Sequence, residues 1–170
     1  MDTSELAAAY RAVLELAAAP GAGPRADPAG GRSDPGADGG EGPWRAQDVL
    51  AHLVLNDRLL TRAVRSVLDG AAQPYGNADA IEPARLRDLG ERLGGTAGLV
   101  RALEASSREL LELAGRLDQA QGDTLLASRI VDGEETRVDQ PMPVAGLLTI
   151  QARVHLPMHE RQLGELLGRP

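Results

Sequence analysis

The chain has 170 residues, 42% of them hydrophobic, and a formal net charge of −7. Because this length buries one sizeable core and divides into two only awkwardly, we expect a single domain over residues 1–170. All 18 cationic residues are Arg and form no basic cluster along the sequence, which argues against nucleic acid as a partner. Cysteine is absent, which excludes disulfides, thiolate metal ligands and a cysteine nucleophile.

The N-terminal stretch MDTSELAAAYRAVLELAAAP has acidic residues where a secretory signal would be basic. No later apolar run approaches the roughly 20 residues needed to cross a bilayer. We therefore expect a soluble, cytoplasmic protein with no membrane partner.

The first predicted element is an amphipathic helix over residues 4–18, with Ser4 as its N-cap. Pro20 and Gly21 end this helix. Residues 20–43 contain almost nothing that a core could bury, so their ordering entropy would stay uncompensated. We expect a flexible Gly/Pro-rich loop at about 20–43, either disordered or a mobile cover over a site.

A second helix is predicted over residues 45–68, where it ends at Asp69 and Gly70. Trp44, which directly precedes it, is expected to pack as an anchor. The buried stripe of this helix is predicted to contain Val49, Leu53, Leu60, Val64 and Val67.

A short loop leads to a third helical region over residues 83–117. Gly94 and Gly95 interrupt it, because a glycine costs about 1 kcal/mol against alanine in a helix interior. Beyond the interruption the apolar pattern resumes at Leu99, Leu103, Leu110, Ala114 and Leu117.

Between Gly122 and Pro141 the apolar period changes, and Asp132-Gly133 suits a tight hairpin turn, although a plain loop also fits. A last helix is predicted over residues 144–167. Its apolar face contains Leu148, Ala152, His155, His159, Leu163 and Leu166. Four long amphipathic segments with little strand signal favour an all-α fold, a four-helix bundle, in which metal sites are commonly built from facing helices.

The three histidines of the chain all lie on these predicted apolar faces. His155 and His159 are four residues apart, so they stand one helical turn from each other and can reach one ion at nitrogen–metal distances of about 2.0–2.1 Å. His52 is the natural third ligand from another helix. Three imidazoles with an open fourth position describe a catalytic metal site, whereas the alternative is that each ring is a core residue satisfied by a backbone carbonyl.

Pro157 lies between two of these histidines, removes an amide donor and clashes with the carbonyl of Arg153, which predicts a kink. A bend keeps the ligands together, whereas a full break at Leu156 would weaken the site. Asn56 and Gln162 lie about one turn from the histidines and are candidates for substrate binding or for support of the ligands, with ordinary polar roles in the bundle as the alternative.

The tract PWRAQDVLAHLVLNDRLL, in which Trp44 lies eight positions before His52, and the terminal VHLPMHERQLGEL resemble the DinB/YfiT-like superfamily. This resemblance implies a four-helix bundle that holds a divalent metal through His52, His155 and His159. Members include thiol-dependent S-transferases, mycothiol-dependent maleylpyruvate isomerases and metal-dependent hydrolases, and dimers are frequent among them. The chain departs from the commoner pattern at Pro157 and in its long first loop.

Residues and resemblance together predict a metal-dependent enzyme in which zinc or nickel activates water or a low-molecular-weight thiol such as mycothiol. The expected partners are a small-molecule substrate and, by the resemblance alone, a second copy of the chain. The catalytic residues and the substrate stay unassigned. Two alternatives remain open: a non-enzymatic small-molecule-binding or stress-related bundle with a degenerate metal site, and a metal carrier or sensor.

Overall fold

The computed structural model describes residues 2–19 and 44–169, which are mostly helical with a small three-stranded sheet. The predicted loop at about 20–43 lies outside the described residues. In chain order the helical elements are α1 Ser4–Ala18, α2 Ala46–Leu68, α3 Ala78–Ile81, α4 Pro83–Arg92, α5 Thr96–Arg116, α6 Gln119–Gly122, α7 Val144–Ile150, a π-helical turn Gln151–His155, and α8 Leu156–Leu166.

The sheet consists of β1 Tyr75–Gly76, β2 Leu125–Asp132 and β3 Glu135–Pro143, with β2 in the centre. β1 pairs with β2 in parallel, and β3 pairs with β2 in antiparallel orientation. The hairpin turn follows Asp132 and contains Gly133 at φ 57°, which confirms the predicted hairpin over the plain loop. The short elements β1, α3 and α6 were not predicted, because four residues or fewer carry no readable apolar period.

The long helices share one hydrophobic core, in which α2 packs along α5 while α1 packs against α5 and α8. The predicted apolar stripes of α2 and α5 are buried throughout. In the last helix Leu148 and Leu163 are buried but Leu166 is 37% exposed, so its inward face ends earlier than predicted. Among residues 2–19 and 44–169, no helix combines the length and the apolar character of a membrane span.

Helix α1 begins at Ser4 as predicted, but its N-cap lies one residue earlier than predicted, whereas α2 begins one residue later than predicted. Thr3 rather than Ser4 occupies the N-cap of α1, and the amide of Ser4 donates to the Asp2 carboxylate at 2.9 Å. Arg45 is the N-cap of α2, and its backbone amide donates to the Asp48 carboxylate at 2.9 Å. A carboxylate in the first turn also interacts favourably with the helix dipole, so Asp48 stabilises the start of α2 just after Trp44.

The last helix continues through Pro157 without a break. Leu156, the residue before the proline, has helical angles of φ −61° and ψ −46°, so the break considered at this residue does not occur. Instead, Gln151–His155 widens into a π turn, in which the amide of Leu156 donates to the carbonyl of Gln151. Because Pro157 has no amide to donate to the Arg153 carbonyl, the wider turn accommodates it.

The interruption predicted at Gly94 and Gly95 is confirmed, and both glycines have positive φ angles, 76° and 82°. Shortly after it, α5 passes close to the end of α4. A Cβ built on Gly98 would lie 1.7 Å from the carbonyl oxygen of Leu93, whereas a Cβ on Gly115 in the same helix would meet nothing within 4 Å. The close approach of α4 and α5 therefore depends on a glycine at position 98.

We expect Gly98→Ala to lower the free energy of unfolding by more than about 2 kcal/mol, because the backbone of Leu93 must move. Gly115→Ala is the matched control and should raise it by up to about 1 kcal/mol, because alanine favours the helix where there is space. Urea unfolding followed by far-UV circular dichroism measures both changes. Equal effects at the two positions would contradict the close approach.

Candidate metal centre

The three predicted ligands meet at one point between α2 and the last helix. His52 comes from α2, His155 from the end of the π turn and His159 from α8, with ring centroids 4.6–4.9 Å apart. One nitrogen of each ring lies within 4.8 Å of the other two. Nitrogens around a tetrahedral ion with 2.0–2.1 Å bonds lie about 3.3 Å apart, so small side-chain rotations would let all three bind one ion.

His52 is held in the orientation and tautomer that a metal ligand needs. Its Nδ1 lies 2.8 Å from the carbonyl oxygen of Ala80 in α3. A carbonyl only accepts, so Nδ1 donates its proton there and Nε2 carries the free lone pair. That Nε2 faces His155, with 2.7 Å between the two Nε2 atoms. The short helix α3 therefore has a direct role in the site.

The other two rings contain nitrogens without partners. Nδ1 of His159 lies 2.8 Å from Oε1 of Gln162, so the side chain of Gln162 supports this ligand. Nε2 of His159 and Nδ1 of His155 are buried and have no hydrogen-bond partner within the described part of the chain. Buried polar atoms normally have partners, and a cation bound among the three rings would supply one for Nε2 of His159.

Burial keeps all three imidazoles neutral near pH 7. It lowers the pKa of His52 to about 3, with a further contribution from His159. Burial and the two neighbouring rings hold the pKa of His155 well below its usual value, and burial also lowers the pKa of His159. Neutral rings keep the lone pairs that bind a divalent ion, so the site is ready for a metal without loss of a proton.

Trp44 forms one wall of the site, a role that its predicted function as a packing anchor did not include. Its ring centroid lies 5.1 Å from that of His52 and 6.1 Å from that of His159, and it is parallel to His159 within 3°. The indole therefore packs against the rings of His52 and His159 on one side of the site. Its position eight residues before His52 was the available sequence signal.

The β2–β3 hairpin reaches the same site through a side-chain clamp. Nδ2 of Asn77 donates to the Val131 carbonyl at 2.9 Å, and the Val131 amide donates to Oδ1 of Asn77 at 2.8 Å. Asn77 is the residue just before α3, so the clamp ties the hairpin to the turn that holds His52. Burial lowers the pKa of His52, and the neighbouring Asp132 carboxylate, itself paired with Arg137 at 3.1 Å, opposes this lowering to a smaller extent.

One turn from the histidines, a pair of amides links α2 to the π turn. Nδ2 of Asn56 donates to Oε1 of Gln151 at 2.9 Å, and the Tyr75 hydroxyl donates to Oδ1 of Asn56 at 2.8 Å. Asn56 follows His52 by four residues, and Gln151 precedes His155 by four. The substrate-binding role expected for Asn56 and Gln162 stays a prediction, and in the structure both side chains hold other parts of the site.

The amide pair continues into a buried carboxyl group that the sequence did not reveal as a site residue. Asp57 has no exposed surface, and it accepts hydrogen bonds from the Tyr10 hydroxyl and, at 2.8 Å, from the Ser106 hydroxyl. Nε2 of Gln151 donates to the Tyr10 oxygen at 3.2 Å. Burial raises the pKa of Asp57 to about 7. This network connects α1, α2, α5 and the π turn beneath the histidines.

No protein-family model matches this chain, and comparisons with curated proteins and with solved structures give no significant match.

We expect the stability contribution of Asp57 to be present at low pH and lost as pH rises from about 4 to 7, because its raised native pKa favours the protonated form. Relative to Asp57→Asn, the wild-type free energy of unfolding should fall by about 2–3 kcal/mol between pH 5 and pH 7.5. The lowered pKa values of the three histidines decrease the free energy of unfolding as pH falls below 6.5. This effect is the same in the wild type and in Asp57→Asn, so it cancels in the comparison. Urea unfolding across this range tests the expectation, and a constant difference would contradict it.

Proposed function

We propose that this chain is a DinB/YfiT-like four-helix bundle, formed by α1, α2, α5 and the last helix, that binds one divalent metal ion. The observation that carries the proposal is the convergence of His52, His155 and His159, three neutral imidazoles from two distant segments. The order of the ligands along the chain, one in the second long helix and an HxxxH pair in the last, supports the family assignment.

The ligand set favours catalysis over a purely structural role, because three imidazoles leave the fourth position of a tetrahedral ion open to a reactant. Zinc or nickel bound there would lower the pKa of water towards about 7 or deprotonate a thiol. The chain has no cysteine, so a thiol nucleophile has to come from a small cosubstrate such as mycothiol. The proposed reaction is an S-transfer, isomerisation or hydrolysis of a small molecule, and the family likeness adds a homodimer to the proposal.

The residues of the chain orient and shield the ligands. The Ala80 carbonyl and the Gln162 amide hold the rings of His52 and His159 through their Nδ1 atoms. Trp44 covers one side of the rings and limits the access of water. These contacts fix the direction of the Nε2 lone pairs, so little reorganisation is needed when an ion binds.

Elemental analysis of the purified, untagged protein tests the metal site directly. We expect about one zinc or nickel ion per chain, and none in the triple variant His52→Ala/His155→Ala/His159→Ala. Chelation should lower Tm and reloading should restore it, because the ion binds only the folded chain. A folded wild-type chain that contains no divalent ion and takes up none would refute the proposal. Small-molecule binding that is unchanged in His52→Ala would favour the non-enzymatic alternative.

Gln162→Ala should weaken metal binding by about 10- to 100-fold, because His159 loses the acceptor that fixes its ring and tautomer. Gln119→Ala, an exposed glutamine at the start of α6, is the matched control and should leave the affinity unchanged. Competition with a chromogenic chelator measures both affinities. Equal affinities in the two variants would mean that Gln162 does not support the ligand.

A further inference from the structure

A cavity of about 360 Å³ lies on the surface formed by α2, α4 and α5, and none of the three histidines lines it. Four arginines surround it: Arg58, Arg62 and Arg65 of α2 and Arg85 of α4. Their spacing of four and three residues places the α2 guanidinium groups on one side of that helix. Ligand pockets commonly have volumes of about 300–1,000 Å³, so the space suits a small molecule.

The charges around this arginine cavity do not cancel. Its two lining carboxylates are already engaged, since Glu109 pairs with Arg65 and Asp79 pairs with Arg85 at 3.3 Å. Arg58 and Arg62 have neither an ion pair nor a hydrogen bond to any residue that the structure describes. Glu82, which does not line the cavity, also pairs with Arg85 at 2.7 Å, so four arginines against three carboxylates leave one positive charge there, although the whole chain carries −7.

Two further features indicate what the cavity would bind. Thr61 lines it and is only 6% exposed, and its buried hydroxyl has no hydrogen-bond partner among residues 2–19 and 44–169. A buried hydroxyl without a hydrogen-bond partner is unfavourable, and a bound ligand could supply that partner. Leu55 and Leu59, both half-buried, add an apolar wall. The cavity therefore combines unpaired cations, a free donor and apolar surface.

We propose that the arginine cavity binds a small organic anion, with an oxyanion group held by Arg58 and Arg62 and an apolar body against Leu55 and Leu59. Guanidinium groups match carboxylate and phosphate oxygens with paired hydrogen bonds, and the Thr61 hydroxyl adds a further donor. Two like charges four residues apart destabilise a helix, and an anion between them removes that repulsion. This inference does not depend on the metal site.

Isothermal titration calorimetry at low ionic strength tests the proposal with three probes that share one ring: benzoate, phenyl phosphate and neutral benzyl alcohol. We expect saturable binding of at least one of the two anions and none of the alcohol. The anion that binds more tightly identifies the head group. No saturable binding of either anion up to about 10 mM, or equal binding of benzyl alcohol, would overturn the proposal.

The double variant Arg58→Gln/Arg62→Gln should bind the anion at least tenfold more weakly, because two charge-assisted contacts are lost. Arg11→Gln/Arg101→Gln is the matched control, since it removes the same charge from exposed positions outside the cavity, and it should change the affinity by less than about twofold. An equal loss in the control would show non-specific attraction and would overturn the site.

Thr61→Val keeps the shape of the side chain and removes only the hydroxyl. We expect anion affinity to fall several-fold, while the Tm of the free protein stays constant or rises because an unpaired buried hydroxyl is removed. Circular dichroism measures Tm beside the titration. A lower Tm with unchanged anion affinity would show that the hydroxyl serves the fold instead of the ligand.

Discussion

The site depends on a fixed distance between α2 and the last helix, because imidazoles from both must face one another at hydrogen-bond range. His52 and His155 approach within 2.7 Å through their Nε2 atoms. One turn away, the hydrogen bond from Asn56 to Gln151 ties the same two helices at 2.9 Å. This second contact lies in a fully buried layer, where a hydrogen bond is strong and an unmade one is costly. The buried polar layer of Asn56, Gln151, Tyr10 and Asp57 therefore sets the distance between α2 and the last helix at which the histidine rings meet.

The π turn adapts the last helix to this requirement. A proline inside a regular α-helix leaves the carbonyl four residues earlier without a partner and pushes it aside. Here the turn Gln151–His155 is widened, and the chain returns to α-helical geometry at Leu156. His155 and His159 remain close, with ring centroids 4.6 Å apart. Pro157, whose position in the sequence suggested a possible helix break, is thus compatible with His155 and His159 binding the same ion.

The parts of the site that could be predicted from the sequence are those that follow from helical period. His52, His155 and His159 lie on apolar faces of long helices, and such faces turn inward. The supporting groups carry no such signal. Ala80 contributes through its backbone carbonyl, which no residue type specifies. Asp57 is an ionisable residue whose burial depends on hydrogen-bond donors from two other helices. These contacts arise only when distant segments have packed.

The buried polar layer also lies between the two candidate sites. On one side, Ser106 lines the arginine cavity and donates a hydrogen bond to Asp57. On the other side, Gln151 donates to the Tyr10 hydroxyl and accepts a hydrogen bond from Asn56, which lies one turn from the metal ligand His52. A continuous chain of contacts between two sites does not by itself couple their binding energies. Coupling also requires a group between them that can adopt two states. Burial raises the pKa of Asp57 to about 7, so its protonated and ionised forms are both populated near neutral pH. Its ionised form only accepts hydrogen bonds, whereas its protonated form donates one, so one of the Tyr10 and Ser106 hydroxyls has to accept when Asp57 is protonated.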